Sequence, residues 1–308
     1  MSSLTRAKIT SAILGATLAC AALVSGGEAR SDAATDGAGT AAIYGAISPD
    51  QIEFLSTPER IKSVASGGAP LAIWEALEHG ERVECLDCIP AVEPLLYDGN
   101  ARTREIAAWW LRRRILGVFG PGEVYEKTLG TLKGDADAKK RAYAAYALGE
   151  FLLAPGIEAC AAAVTVDRDP SVRAAAASAL GRLNDDGQGA LGRAMTDADS
   201  RVKLAAVTSA GRINAFADVA NVARLTGDPD AKVRRRGLEL LDSMRAKDSV
   251  ASAIALAKGD PDADVRLAAC HALGSFGDAT AKATLEAIAK GDASTLVRDQ
   301  AKIALRRL

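Results

Sequence analysis

Aromatic residues make up only 4% of the 308 positions in this chain, and just two histidines, His79 and His271, are present. So few imidazoles leave little material for general acid–base chemistry. GxSxG, phosphate-loop, HExxH and paired-carboxylate motifs are absent from the sequence, which removes the common hydrolase, nucleotide-binding and metalloprotease signatures. Charge of either sign in excess is lacking too: 38 Lys plus Arg face 39 Asp plus Glu, a formal net charge of -1. Such a balance gives no global attraction to nucleic acid or to an anionic membrane. No cofactor, metal or nucleic acid is expected, and any electrostatic partner must be met by a local patch.

What the chain has is small aliphatic side chains: 49% of it is hydrophobic, enough to bury a sizeable core built mainly from Ala, Leu, Val and Ile. At the N-terminus, Arg6 and Lys8 precede an apolar run from Ile9 to Val24, with small residues following at Gly27 and Ala29. This pattern predicts a signal peptide over residues 1–29, and hence export to a periplasmic or extracellular location in a bacterium. Two alternatives keep the N-terminus on the membrane. One is an uncleaved anchor, although ~16 apolar residues fall short of the roughly 20 needed to span a bilayer; the other is lipidation at Cys20, whose preceding Thr17-Leu18-Ala19 lacks the usual Leu three residues upstream. Residues 30–48, rich in Ala, Gly, Thr and Asp without helical periodicity, read as a flexible linker. Residues 49–81 read as an irregular helical cap, with Thr57-Pro58-Glu59 as one helix start.

From residue 82 onward the sequence repeats itself. DGNARTR, DADAKKR, DRDPSVR, DADSRVK, DPDAKVR, DPDADVR and DASTLVR begin at Asp98, Asp135, Asp167, Asp197, Asp228, Asp260 and Asp292, at offsets of 37, 32, 30, 31, 32 and 32. Each segment opens on Asp and ends six residues later on a base. After each comes an amphipathic stretch, as in VRAAAASALGRL from Val172, and before each lies a shorter apolar helix such as Ile89 to Tyr97. Two helices per unit follow, and neither can bury its apolar stripe without a neighbouring unit. The second Asp of the turn (Asp137, Asp169, Asp199, Asp230 or Asp262) is placed to cap the second helix. Gly149, Gly181, Gly211 and Gly274 follow the main run of that helix and read as helix-end glycines of left-handed conformation.

An Asp in the inter-helix turn, a base six residues on with Val before it, and Ala-rich periodicity afterwards resemble the HEAT-repeat signature over residues 82–308. The resemblance implies an all-α fold: a right-handed α-solenoid of about seven helix pairs. It also implies a ladder between adjacent repeats involving Asp167, Asp197, Asp228, Asp260, Arg173, Lys203, Arg234 and Arg266. In such solenoids the second helix lines the concave surface. Aligning the second helices puts Trp109, Tyr146, Ser178, Thr208, Glu239, His271 and Ile303 in one column, with Arg113, Glu150, Arg182, Arg212 and Arg307 one turn further on, and both vary in chemistry while their neighbours stay Ala or Leu, as outward-facing positions do. Trp109, Trp110 and Tyr146 together with Arg112, Arg113 and Arg114 form the most distinctive cluster, of the residue types that dominate binding hot spots. Equally, Trp110 could fill space in an Ala-lined layer and the Arg run could satisfy helix-end carbonyls.

Cys85-Leu86-Asp87-Cys88 is the sharpest local motif. In an oxidising compartment it predicts a disulfide. Redox exchange at a helix start and zinc binding with His79 are the alternatives; the absence of a following His argues against haem attachment. Cys160 and Cys270 sit in apolar helical positions and read as buried hydrophobes. The functional expectation is a non-enzymatic extracytoplasmic scaffold that binds a protein or peptide partner. A chromophore-handling protein akin to the HEAT-containing bilin lyases, or a thiol-redox module at Cys85 and Cys88, are the competing readings. Metal-dependent HEAT hydroxylases are disfavoured by the shortage of histidine.

Overall fold

The computed structural model describes residues 56–117, 120–183 and 188–308. The predicted leader, the linker and Cys20 lie outside them. Sixteen α-helices account for most of the described residues. A first pair, α1 (Pro58–Ala65) and α2 (Pro70–Glu78), precedes the repeats. Seven further pairs follow: α3 (Ile89–Val92), extended by a 3-10 turn over Glu93–Tyr97, with α4 (Ala101–Arg112); α5 (Glu123–Gly134) with α6 (Ala138–Phe151); α7 (Pro155–Val166) with α8 (Pro170–Leu183); α9 (Gln188–Ala194) with α10 (Ser200–Ala210); α11 (Val219–Arg224) with α12 (Ala231–Ser243); α13 (Val250–Gly259) with α14 (Ala263–Phe276); and α15 (Lys282–Gly291) with α16 (Thr295–Leu305). The expected all-helical chain has one small exception. In the α4–α5 connection Leu116–Gly117 pairs antiparallel with Gly120–Pro121, and this added loop accounts for the long first offset of the repeat.

The helices begin and end where local chemistry directs. Thr57 accepts the Arg60 N–H at the start of α1, with Pro58 in the first helical turn. Asp137, Asp169, Asp199, Asp230 and Asp262 each accept an N–H from the first turn of the second helix in their pair, satisfying amides that no helical carbonyl can reach. Pro94 has no N–H to continue α3, and the chain tightens there into the 3-10 turn that buries Leu95 and Leu96.

Second helices stack in an unbroken series, α2 on α4 and so on through α16, and the first helices form a second, less intimate layer. The cap is thus an eighth pair continuing both layers: α2 packs on α4 and α1 on α3. Ala and Leu seal the second-helix layer, with Ala144, Leu148, Ala176, Leu180, Ala206, Ala269, Leu273 and Ala301 all buried.

Three of the four glycines read as helix ends lie inside helices and serve close approach instead. A Cβ on Gly149 would fall 2.8 Å from the Ala179 Cα, one on Gly181 2.5 Å from the Ser209 Cβ, and one on Gly274 2.8 Å from the Ala304 Cα. Gly211 follows α10 with a right-handed φ of -66°. Among the described residues the left-handed positions belong to Gly277, Leu152 and Arg245.

Between pairs runs the ladder, and its four arginine rungs are built alike. Arg141 Nε and Nη2 donate to the two Asp167 oxygens at 2.7 and 2.9 Å, while its Nη1 donates to the Asp135 carbonyl of its own turn at 2.9 Å. Arg173 grips Asp197, Arg234 grips Asp260 and Arg266 grips Asp292 in the same way; Lys203 reaches Asp228 with a single ammonium. Each turn Asp also accepts the N–H two residues on, as Asp167 does from Asp169. The guanidinium of Arg141 holds the Asp167 carboxyl below the usual range, and Arg266 does so for Asp292. At Asp197 and Asp260 burial pushes upward, yet the arginine prevails and the net shift is downward.

Candidate binding face

No rung joins the α3–α4 pair to the next one: Arg104 donates to the Asp98 and Gly99 carbonyls of its own turn, but its guanidinium stacks 3.8 Å from the Tyr143 ring and does not reach a carboxylate. Another device holds the preceding junction, between α2 and α4. Arg114 Nη2 donates to the carbonyls of Gly80, Glu81 and Val83, and its Nη1 to that of Trp110. The Trp110 indole N–H also reaches the Gly80 oxygen at 3.0 Å, and the guanidinium lies 3.7 Å from the indole centroid. Burial draws the Arg114 pKa down to about 10. Of the aromatic and basic cluster, therefore, Trp110 (0% exposed) and Arg114 are structural.

The remaining members separate. Arg113 is exposed and pairs with Glu81 at 3.0 Å. Trp109 and Arg112 line a cleft of about 430 Å³ with Trp74, Glu78, Glu105, Ile106, Glu150 and Arg182, spanning α2, α4, α6 and α8. Glu150, expected to face outward, is only 7% exposed and pairs with Arg182. Its Oε1 accepts no aligned hydrogen bond. Phe151 and Leu148 beside it are buried, so α6 turns this position toward the core where the equivalent residues Arg182 and Arg212 remain exposed. The Arg182 guanidinium lies 5.8 Å from the Tyr146 ring. Burial, followed by the Glu150 charge, raises the Tyr146 pKa and keeps the phenol neutral.

Trp109, Tyr146, Glu150 and Arg182 are thus brought together, and the other predicted residues lie further along the same layer. Arg212 and Glu239 share a groove of about 230 Å³ with Thr208, Arg236 and Ser243. Glu239 and His271 border a pocket of about 190 Å³ with Arg235, Asp242 and Asp264, where His271 Nδ1 lies 2.8 Å from Asp242 Oδ2. Trp74, Glu78 and Glu105 were not anticipated. Glu105 and Trp109 are four apart on α4, as are Trp74 and Glu78 on α2, where the indole N–H donates to the carboxylate at 3.1 Å. Helical spacing could have revealed both pairs; the missing signature in the cap hid the register of α2.

The Cys85 and Cys88 sulfurs lie at bonding distance, with Cα atoms 5.3 Å apart and both residues buried. Burial raises the Cys160 and Cys270 thiols to about 12, which keeps them protonated. Among the described residues no group of three or more His, Cys, Asp or Glu is placed to hold a metal ion. No described helix is long and apolar enough to cross a membrane.

The fold is similar to that of YibA of Escherichia coli, at 17% identity and a TM-score of 0.56 over 91% of this chain and all of that one. It is also similar to Kap95p, a protein that binds RanGDP, at 14% identity and a TM-score of 0.57; the match covers 80% of this chain and 38% of Kap95p. The CpcE–CpcF phycocyanin lyase of Nostoc matches at 19% identity and a TM-score of 0.39 over 70% of this chain and 86% of that one. No curated protein matches the sequence. The model of HEAT repeats matches residues 126–211 and 219–306, more than half of the chain. With helix pairs stacked in two layers and neighbouring pairs joined by Asp–base rungs, this protein belongs to the HEAT-repeat family.

Proposed function

We propose that this protein is a non-enzymatic extracytoplasmic scaffold that holds a protein or peptide partner on its second-helix face. The observation that carries the reading is the cleft across α2, α4, α6 and α8. It gathers Trp, Arg and Glu side chains that the packing of the core does not require. The close approach of second helices through Gly149, Gly181 and Gly274 supports this layer as the concave one, where an extended partner touches several repeats at once. Kap95p, a similar solenoid, binds a protein.

The basic start and apolar run of the leader support export, and the buried Cys85–Cys88 pair suits an oxidising compartment as a structural link. Both sulfurs are enclosed, which keeps incoming thiols out and favours the link over redox exchange. Affinity capture from envelope extract, with the mature protein and with Trp109→Ala and Arg113→Ala as comparators, tests the binding face. The reading expects Trp109→Ala to lose a polypeptide that the parent and Arg113→Ala retain. N-terminal sequencing of the envelope-borne protein tests export, with a start at Arg30 as the expected result.

A further inference from the structure

We propose that the cleft between α2, α4, α6 and α8 takes the cationic side chain of a basic residue, arginine or lysine, presented by a peptide or protein partner. The inference rests on the scaffold reading and names the chemistry that the face selects. Two half-buried indoles, Trp74 and Trp109, line the cleft. Indole faces carry negative potential and attract guanidinium and ammonium groups. Five charged residues share the lining: Glu78, Glu105, Glu150, Arg112 and Arg182. Arg182 is committed to Glu150 and lies against Tyr146, so these two charges cancel within the protein.

What is left is two carboxylates against one guanidinium, an acidic balance in a cleft walled by tryptophan. Glu78 anchors the Trp74 indole N–H, which fixes that wall. Glu105 is exposed and makes no ion pair among the described residues. A basic side chain entering the cleft beside the indoles finds a free carboxylate; an acidic one meets Glu78 and Glu105. Arg112, half-buried in the same lining, is free to donate to backbone carbonyls flanking the inserted residue. The volume of about 430 Å³ accommodates one long side chain with its adjoining backbone. Specificity of this kind comes from repulsion of the wrong charge as much as attraction of the right one.

Fluorescence anisotropy on the mature chain, with two labelled glycine pentapeptides bearing a central arginine or a central glutamate, tests the proposal. The arginine peptide should bind at least about tenfold more tightly than the glutamate peptide, and Glu105→Lys should weaken it by about tenfold. Arg113→Ala, outside the cleft, should leave it unchanged, and circular dichroism should show each variant as helical as the parent. Equal or tighter binding of the glutamate peptide, no binding of the arginine peptide at millimolar concentration, or an unchanged affinity in folded Glu105→Lys would each overturn it. If the arginine peptide fails while Trp109→Ala still abolishes partner capture, the cation assignment falls and the scaffold reading stands. If capture is also insensitive to Trp109→Ala, both fall.

Discussion

Arg173 closes two turns at once: it grips both carboxylate oxygens of Asp197 in the next pair while donating to the Asp167 carbonyl of its own. One side chain therefore fixes a local turn and the spacing between neighbours. Arginine suits this role because its planar fork supplies donors in the required directions.

Removing such a side chain strands a carboxylate that is only 11% exposed. Arg173→Ala should destabilise the protein by about 3 kcal/mol, because the lone charge is left without its partner. The urea midpoint measures this. Conversely, Lys203→Arg should stabilise by about 1 kcal/mol by restoring the donation to the Asp197 carbonyl that the other rungs make and the ammonium does not.

The ladder also sets the acid limit. Asp167, Asp197, Asp260 and Asp292 have folded pKa values below their ordinary ones. The unfolded chain thus takes up protons first as pH falls. Stability should be constant above the unfolded carboxyl range and decline below about pH 4 as the pH passes through the lowered folded values. Thermal unfolding followed by circular dichroism between neutral and acid pH checks the window, and a decline beginning near neutrality would point to other groups.

Glycine positions separate packing from propensity. Gly181→Ala should cost about 1–3 kcal/mol, since the new methyl lands on Ser209, 2.7 Å from its Cα. Gly130→Ala, in the exposed interior of α5 with nothing within 4 Å, should instead gain up to about 1 kcal/mol from helix propensity. Melting temperatures of the two variants should shift in opposite directions.

The link near the cap gives a further handle. Reduction of the proposed Cys85–Cys88 bond should lower stability by about 2 kcal/mol, the loop-closure entropy of so short a ring. Unfolding with and without reductant, using Cys85→Ser as the comparison, measures it.

The helix pairs were legible because the Asp-to-base spacing and the second Asp encode turn, cap and rung within a single segment of sequence. Side-chain orientation was legible only where the register was. The repeat alignment put Glu150 in an exposed column, yet α6 tilts that position inward to meet Arg182. Trp74 and Glu78 are not legible in the sequence because α2 carries no repeat signature, although its contact with α4 completes the cleft. The glycines are ambiguous for a different reason: in sequence a helix-end glycine and one that admits a neighbouring backbone look alike, and only the distance to Ala179 or Ser209 separates them.

Hydrogen exchange on the protein, alone and with its captured partner, tests the binding face most directly. The account predicts slowed exchange in α2, α4, α6 and α8, around Trp74, Trp109 and Tyr146, with α7, α9 and α13 unchanged. Protection confined to those first helices would contradict it.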